Sequence, residues 1–232
     1  MKTMKAGQLL DNVAVAGNKV RKASKGGEVF YYKPTILTNI LPNGGFETNI
    51  AGWFSNCPGM ARVAQPIPIH NETGSWVGRV SGNFNASQGG PEGNRMHITI
   101  TPNLPVVEGH IYYIRGLMRK GDTTTTAVEI HDGVPTSTVI TPIISFTEIP
   151  IVDIWHRFDA LWMADTNSFQ LSMHVLHASG QDGTRQRVLW FDNFMVIDLT
   201  QSYGAGYELR NINLVRQIVS NLGGYWNGTV EY

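Results

Sequence analysis

The sequence predicts an all-β chain: a jelly-roll β-sandwich with an N-terminal β-hairpin arm and a short C-terminal helix. Three observations predict it. Short β-prone runs recur from residue 60 to 198, closed by turn residues, and no helical period intervenes between them. The composition has 25 glycines and 11 prolines, as many turns require, and only 16% charged residues, against about 25% in typical domains.

The 232 residues suffice for one substantial core with appended arms, and 42% hydrophobic with 10% aromatic content fits a folded chain. Formal net charge is zero, yet residues 1–35 carry seven Lys and Arg against two acids. A basic arm ahead of an acidic body suits docking on an acidic neighbour. Nucleic acid is not expected, because no aromatic residues interleave with those charges. Cys57 is the single cysteine, which excludes an internal disulfide framework, and nothing near it in sequence activates a thiolate. Gln8-Leu9-Leu10-Asp11-Asn12 interrupts any apolar signal core, and no run approaches the ~18 residues of a membrane span.

Residues 1–18 show no sustained period. Lys19–Tyr32 is a hairpin, two β-prone runs around Lys25-Gly26-Gly27. The domain boundaries expected are 1–35 for the arm, 36–198 for the sandwich and 199–232 for the C-terminal arm. In the sandwich, Asn43-Gly44-Gly45 is a turn and a first strand starts at Phe46, with Glu47 pointing the other way. The later strands are Arg62–Val63, Trp76–Val80, Met96–Ile100, Ile111–Arg119, Ala127–His131, Val139–Phe146, Trp155–Trp162, Phe169–Leu176 and Val188–Ile197. Turns at Gly89–Gly93, Gly121-Asp122 and Gly180–Gly183 separate several of them. In Ile111–Arg119, Tyr112, Ile114 and Met118 fall on one face, and Tyr113, Arg115 and Arg119 on the other. From Tyr207 the period becomes helical: Leu214, Val215, Ile218 and Leu222 form a stripe that Gly223-Gly224 closes.

Two stretches resemble known families. N-G-G-F-E followed by G-W at 43–53, the strand at Glu72–Gly82 and the aromatic-Asp-Asn strand at Val188–Ile197 resemble galactose-binding-like carbohydrate-binding modules, across roughly residues 40–198. Phe191–Gly206 resembles the F-D-N-x-M-x-I-D-L-T-x-x-F-G-A-G-N-E-P ending of tail-associated proteins of phages that infect Gram-positive bacteria, with Tyr207-Glu208-Leu209 in place of Asn-Glu-Pro and no Trp-Cys in the helix. The basic hairpin at 19–32 also resembles hairpins near the ends of phage tail and baseplate proteins. These resemblances imply a virion protein of tail, baseplate or surface fibre, a homo-oligomer held to other virion proteins by both arms, whose jelly roll binds host cell-wall polysaccharide. A collar or decoration protein without ligand is the alternative. A carbohydrate-binding module of a polysaccharide-degrading system is a third.

No catalytic motif is present: no G-x-S-x-G elbow, H-E-x-x-H or phosphate-cradling loop. Glu129 and Asp159 are the acids one would pair, but no spacing forces them together, and no enzyme activity is expected. His174 and His177, three apart in a strand, point to opposite faces. Glu47 beside an apolar floor needs a partner: a cation, backbone N–H groups or an arginine. The module resemblance implies structural calcium held by Glu47 and Asp192. For saccharide, the outward face of Ile111–Arg119 offers Tyr113, Arg115 and Arg119, with Glu129, His131, His174 and one of Trp76 or Trp162 on neighbouring strands. Trp53 is assigned to the core.

Overall fold

In a computed structural model, the structure describes residues 9–15, 18–25, 28–32, 35–55, 59–65, 74–83, 96–121, 125–133, 143–146, 154–177 and 186–232. Cys57, the turns at Gly89–Gly93 and Gly180–Gly183, and residues 139–142 of one expected strand lie outside them. In chain order the elements are β1 (Leu9–Val15), β2 (Asn18–Lys25), β3 (Glu28–Tyr32), β4 (Ile36–Asn39), β5 (Trp53–Ser55), β6 (Ala61–Ala64), β7 (Trp76–Asn83), β8 (Met96–Ile100), β9 (Leu104–Pro105), β10 (Ile111–Lys120), β11 (Thr125–Asp132), β12 (Ile144–Phe146), β13 (His156–Met163), β14 (Ser168–Phe169), β15 (Leu171–His177), β16 (Gln186–Asp198), α1 (Leu199–Tyr203), α2 (Glu208–Asn221) and β17 (Gly228–Glu231). The architecture is the all-β jelly-roll sandwich with a C-terminal helix. The chain divides into two compact units, residues 1–37 with 229–232, and residues 38–228.

In the first unit β1, β2 and β3 form an antiparallel sheet in that order. The hairpin is β2–β3, with Lys25 opposite Glu28. β1 is a strand that periodicity does not reveal, because its register shifts between Leu10 and Val13. Such a shift breaks the two-residue alternation by which strands are recognised.

The second unit is the sandwich. One sheet runs β13–β10–β16–β4, and β16 also pairs along its first half with β7, which pairs with β6. The other runs β12–β11–β15–β8–β5. Their inner faces meet in one core: Tyr112, Ile114, Met118, Leu189, Phe191, Phe194 and Val196 from the first, and Trp53, Ile98, Ile100, Val128, Ile130, Leu171 and Met173 from the second. The alternation expected of β10 is the one observed. Trp53 belongs to an aromatic cluster, with Phe46 at 5.1 Å, Phe191 at 5.8 Å and Phe194 at 5.6 Å between ring centroids. Trp162 also turns inward, 4.4 Å from Phe169.

The stretch 43–53 differs from the expectation. No strand starts at Phe46; the segment is a turn that carries positive φ at Asn43 (54°) and Phe46 (52°) before β5 begins at Trp53. Gly44 and Gly45 serve close approach rather than φ. A Cβ on Gly44 would overlap the Phe194 carbonyl, and one on Gly45 would sit 2.5 Å from Tyr225 Cε1. The turn is pinned by Phe194 N–H donating to Gly44 O at 3.0 Å.

α2 spans the predicted segment, but its buried side is Glu208, Val215, Ile218 and Val219, while Leu214 and Leu222 are exposed. Gly223 and Gly224 both have positive φ, and Gly224 N–H donates to Val219 O at 2.8 Å, closing the helix as expected. At its start, Glu208 Oε1 accepts from Thr200 Oγ1 at 2.7 Å, and that hydroxyl accepts from Ile111 N–H at 2.9 Å.

Candidate functional site

The six expected saccharide residues do not share a surface. Tyr113, Arg115 and Arg119 lie on β10 in one sheet, and Glu129, His131 and His174 on β11 and β15 in the other. The β10 residues do face away from the core, but they are not open to solvent: Tyr113 and Arg115 are each 2% exposed. α2 covers that side. Its Arg216 Nε donates to Asp159 Oδ2 at 2.6 Å, and Asp159 is the cross-strand partner of Arg115. Burial, and then the charge of Asp159, push the Tyr113 hydroxyl up to about 12. Arg119 stacks over Trp190, 4.4 Å from the ring centroid. Sequence alternation says which side of a strand a residue takes, not what later folds over it. Glu129 and Asp159 lie in different sheets, so they form no catalytic pair.

The second sheet carries a polar face. Its ladders align Phe54, Thr99, Ser172 and His131 in one cross-strand row, and His97, His174, Glu129 and Ser145 in the next. All belong to the alternate positions that the core does not use. Phe54 is 55% exposed, whereas Thr99, Ser172, His131 and His174 are buried. His131 Nε2 meets Glu129 Oε2 at 3.0 Å, Ser172 Oγ meets His174 Nε2 at 2.8 Å, and the two imidazoles stack at 4.3 Å between centroids. Since a carboxylate accepts only, His131 donates to Glu129 from Nε2.

Glu47 and Asp192 do come together. A Cβ on Gly74 would lie 2.6 Å from Glu47 Oε1 and 4.0 Å from Asp192 Oδ2, so the two carboxylates flank one spot that only a glycine leaves open. Glu47 Oε1 accepts from Ser75 N–H at 2.9 Å and Trp76 N–H at 3.2 Å, while Asp192 Oδ1 accepts from Asn193 N–H at 2.8 Å. Arg62 braces the turn: its Nε donates to Phe46 O at 2.7 Å, Nη2 donates to Glu47 O, and the guanidinium lies 3.6 Å over Trp76. A left-handed residue adjoins each acid, Phe46 before Glu47 and Asn193 (φ 53°) after Asp192. A bulky Phe in that region is strained and persists only where packing enforces it.

No protein-family model and no curated protein sequence matches the chain. Among solved structures it is similar to a family 61 carbohydrate-binding module in complex with β-1,4-galactotriose (12% identity, 69% of this chain and 98% of that one, TM-score 0.46). It is also similar to a family 16 carbohydrate-binding module (14%, 69% and 100%, 0.45). A third is the enzymatically active domain of bacteriophage CBA120 tailspike protein 4 (14%, 68% of this chain but 21% of that one, 0.46). Similarity at this level does not extend to what the chain binds.

Sequence reasoning missed Ser172 and Thr99, which complete the polar face. The signal was present: in Leu171–His177 and Met96–Ile100 apolar residues alternate with polar ones.

Proposed function

We propose that the chain is a virion protein of a bacteriophage whose jelly-roll domain binds host cell-surface saccharide on the outer face of the five-stranded sheet. One observation supports the binding reading: Phe54 stands 55% exposed at the end of a cross-strand row in which Thr99, Ser172 and His131 are buried, so the ring is the part of that face open to a ligand. An exposed aromatic ring suits the apolar face of a sugar. The phage assignment is supported by the Phe191–Gly206 ending and the basic hairpin. The segments 1–35 and 199–232 are then the arms that join other virion proteins, in a homo-oligomer. Calcium is proposed at Glu47 and Asp192, supported by two carboxylates converging over Gly74; it would tie the 43–53 turn to β16.

Retention on purified bacterial cell walls and on a glycan array tests the reading. Wild-type protein is retained and Phe54→Ala weakens retention about tenfold, since stacking contacts of this kind contribute roughly 1–3 kcal/mol. No retention on any wall or glycan refutes it. That result would favour the second reading, a ligand-free structural protein, which the burial of Tyr113 and Arg115 beneath α2 supports.

A further inference from the structure

We propose that the edge strand β13 pairs antiparallel with β13 of a second copy of the chain, so that two sandwiches share one continuous sheet about a two-fold axis. The pairing rests on the homo-oligomer proposed above, for which it supplies the surface, and on neither the saccharide nor the virion.

An edge strand presents a row of unpaired N–H and C=O groups, and native proteins blunt such edges with short strands, lysine, proline or bulges. β13 ends its sheet and has eight residues, whereas the edge strands β5, β6 and β12 have three or four. It contains no lysine, proline or glycine, and its ladder with β10 runs from Ile111–Met163 to Met118–His156 without a register shift. Among the described residues, no strand pairs with its far side. Apolar side chains stand in the open along it, Ile154 at 48% exposure and Leu161 at 37%. Such an edge accepts another extended strand.

The residues of β13 select its own copy as that strand. Opposite residues of an antiparallel pair share one face of the sheet, so the axis passes through a residue rather than between two. With Phe158 on the axis, Arg157 of one copy lies opposite Asp159 of the other, His156 opposite Ala160, Trp155 opposite Leu161 and Ile154 opposite Trp162. Each pair occurs twice by symmetry. Charge then meets opposite charge, a large ring meets a small side chain, and apolar meets apolar. An axis through Arg157 or Asp159 would set like charges directly opposite, which is destabilising, and one through Ala160 would leave both charges against Met163 and Leu161. Arg157 is exposed, and Asp159 accepts from Arg216 at Oδ2 alone, with no hydrogen bond on Oδ1 among the described residues. That second oxygen can take the guanidinium of the other copy.

Sedimentation velocity on the full chain over a dilution series, with no saccharide present, reads the association. The wild type forms a dimer that dissociates on dilution. Arg157→Glu sets a like charge opposite Asp159, and Asp159→Arg sets one opposite Arg157, so each variant alone weakens self-association about tenfold. Mixed one to one, the two variants restore the dimer, because each new charge then meets its opposite across the axis. Circular dichroism checks that each variant is folded; should Asp159→Arg fail, Leu161→Asp, at an exposed position, replaces it and weakens the dimer by itself. A dimer unchanged by both substitutions, or not restored in the mixture, overturns the proposal and leaves the homo-oligomer to another surface. Each copy has one such edge, so a wild-type trimer overturns it too. A monomeric wild type overturns both the pairing and the homo-oligomer.

Discussion

Substituting Gly44 by alanine tests the claim that the 43–53 turn is seated directly on β16. The added methyl would overlap the carbonyl oxygen of Phe194, and it would lie 2.9 Å from the carbonyl carbon and 3.3 Å from Leu41 Cδ2. The obstacle is backbone, so no side-chain rotation relieves it. Moving the turn outward stretches the Phe194 N–H to Gly44 O bond, now 3.0 Å, worth about 1 kcal/mol net. It also loosens the packing of Phe46, 5.0 Å from Phe191; forced overpacking in a core costs about 1–3 kcal/mol. Together roughly 3 kcal/mol is lost, which for a domain of this size lowers Tm by about 6–12 °C. Gly109→Ala is the control. Its φ is 81° and nothing lies within 4 Å of the new Cβ, so only backbone strain of about 1–2 kcal/mol applies. Thermal melts by circular dichroism and calorimetry compare the two. If Gly44→Ala melts within 2 °C of wild type, or Gly109→Ala is the more damaging, the close seating of the turn is refuted.

Burial holds the Asp132 carboxyl above its ordinary range despite the hydrogen bond from Gln170 N–H. A carboxyl raised on folding favours the protonated state, so its charge opposes folding as pH rises; Asp132→Asn should raise Tm at pH 7 and lose that advantage below pH ~4. Glu208 behaves oppositely: its own backbone N–H and the Thr200 hydroxyl hold it below its ordinary range. Its contribution is present above pH ~4.5 and lost on acidification, and Glu208→Gln should cost about 1 kcal/mol at pH 7, with the two melting curves converging in acid. The Arg216–Asp159 pair is half exposed on the arginine side (50%), so Arg216→Ala should change stability by no more than about 1 kcal/mol, read by urea denaturation. Calcium should raise Tm in wild type and not in Glu47→Gln, with differential scanning fluorimetry as the assay; equal shifts would remove the ion from that site.

The strands of the sandwich were legible wherever alternation met a single core. β10 shows this: Tyr112, Ile114 and Met118 turn inward as their spacing implies. β1 was not legible, because the irregularity between Leu10 and Val13 interrupts its period. Phe46 reads as a strand start because an aromatic residue beside a charged one mimics alternation. Its left-handed φ is imposed by contacts with Trp53 and Phe191, 7 and 145 positions later, which no local pattern contains. The approach of Glu47 and Asp192 was anticipated from motif resemblance rather than from physics. The residues expected to meet saccharide lie on alternate positions away from the core but in two different sheets, and a strand pattern cannot tell that α2 covers one outer face, nor that His131, Ser172 and His174 interlock on the other.

The 13-residue β16 pairs with β10, with β7 and with β4, and so waits for partners laid down between about 70 and 160 positions earlier. A ribosome must release the chain through residues 186–198 before any of those three ladders can close. Until then β7 and β10 present open edges on which other nascent chains can nucleate. Fragments ending ahead of residue 186 should therefore collect as insoluble aggregates, whereas fragments that retain 186–198 should be recovered from the soluble fraction.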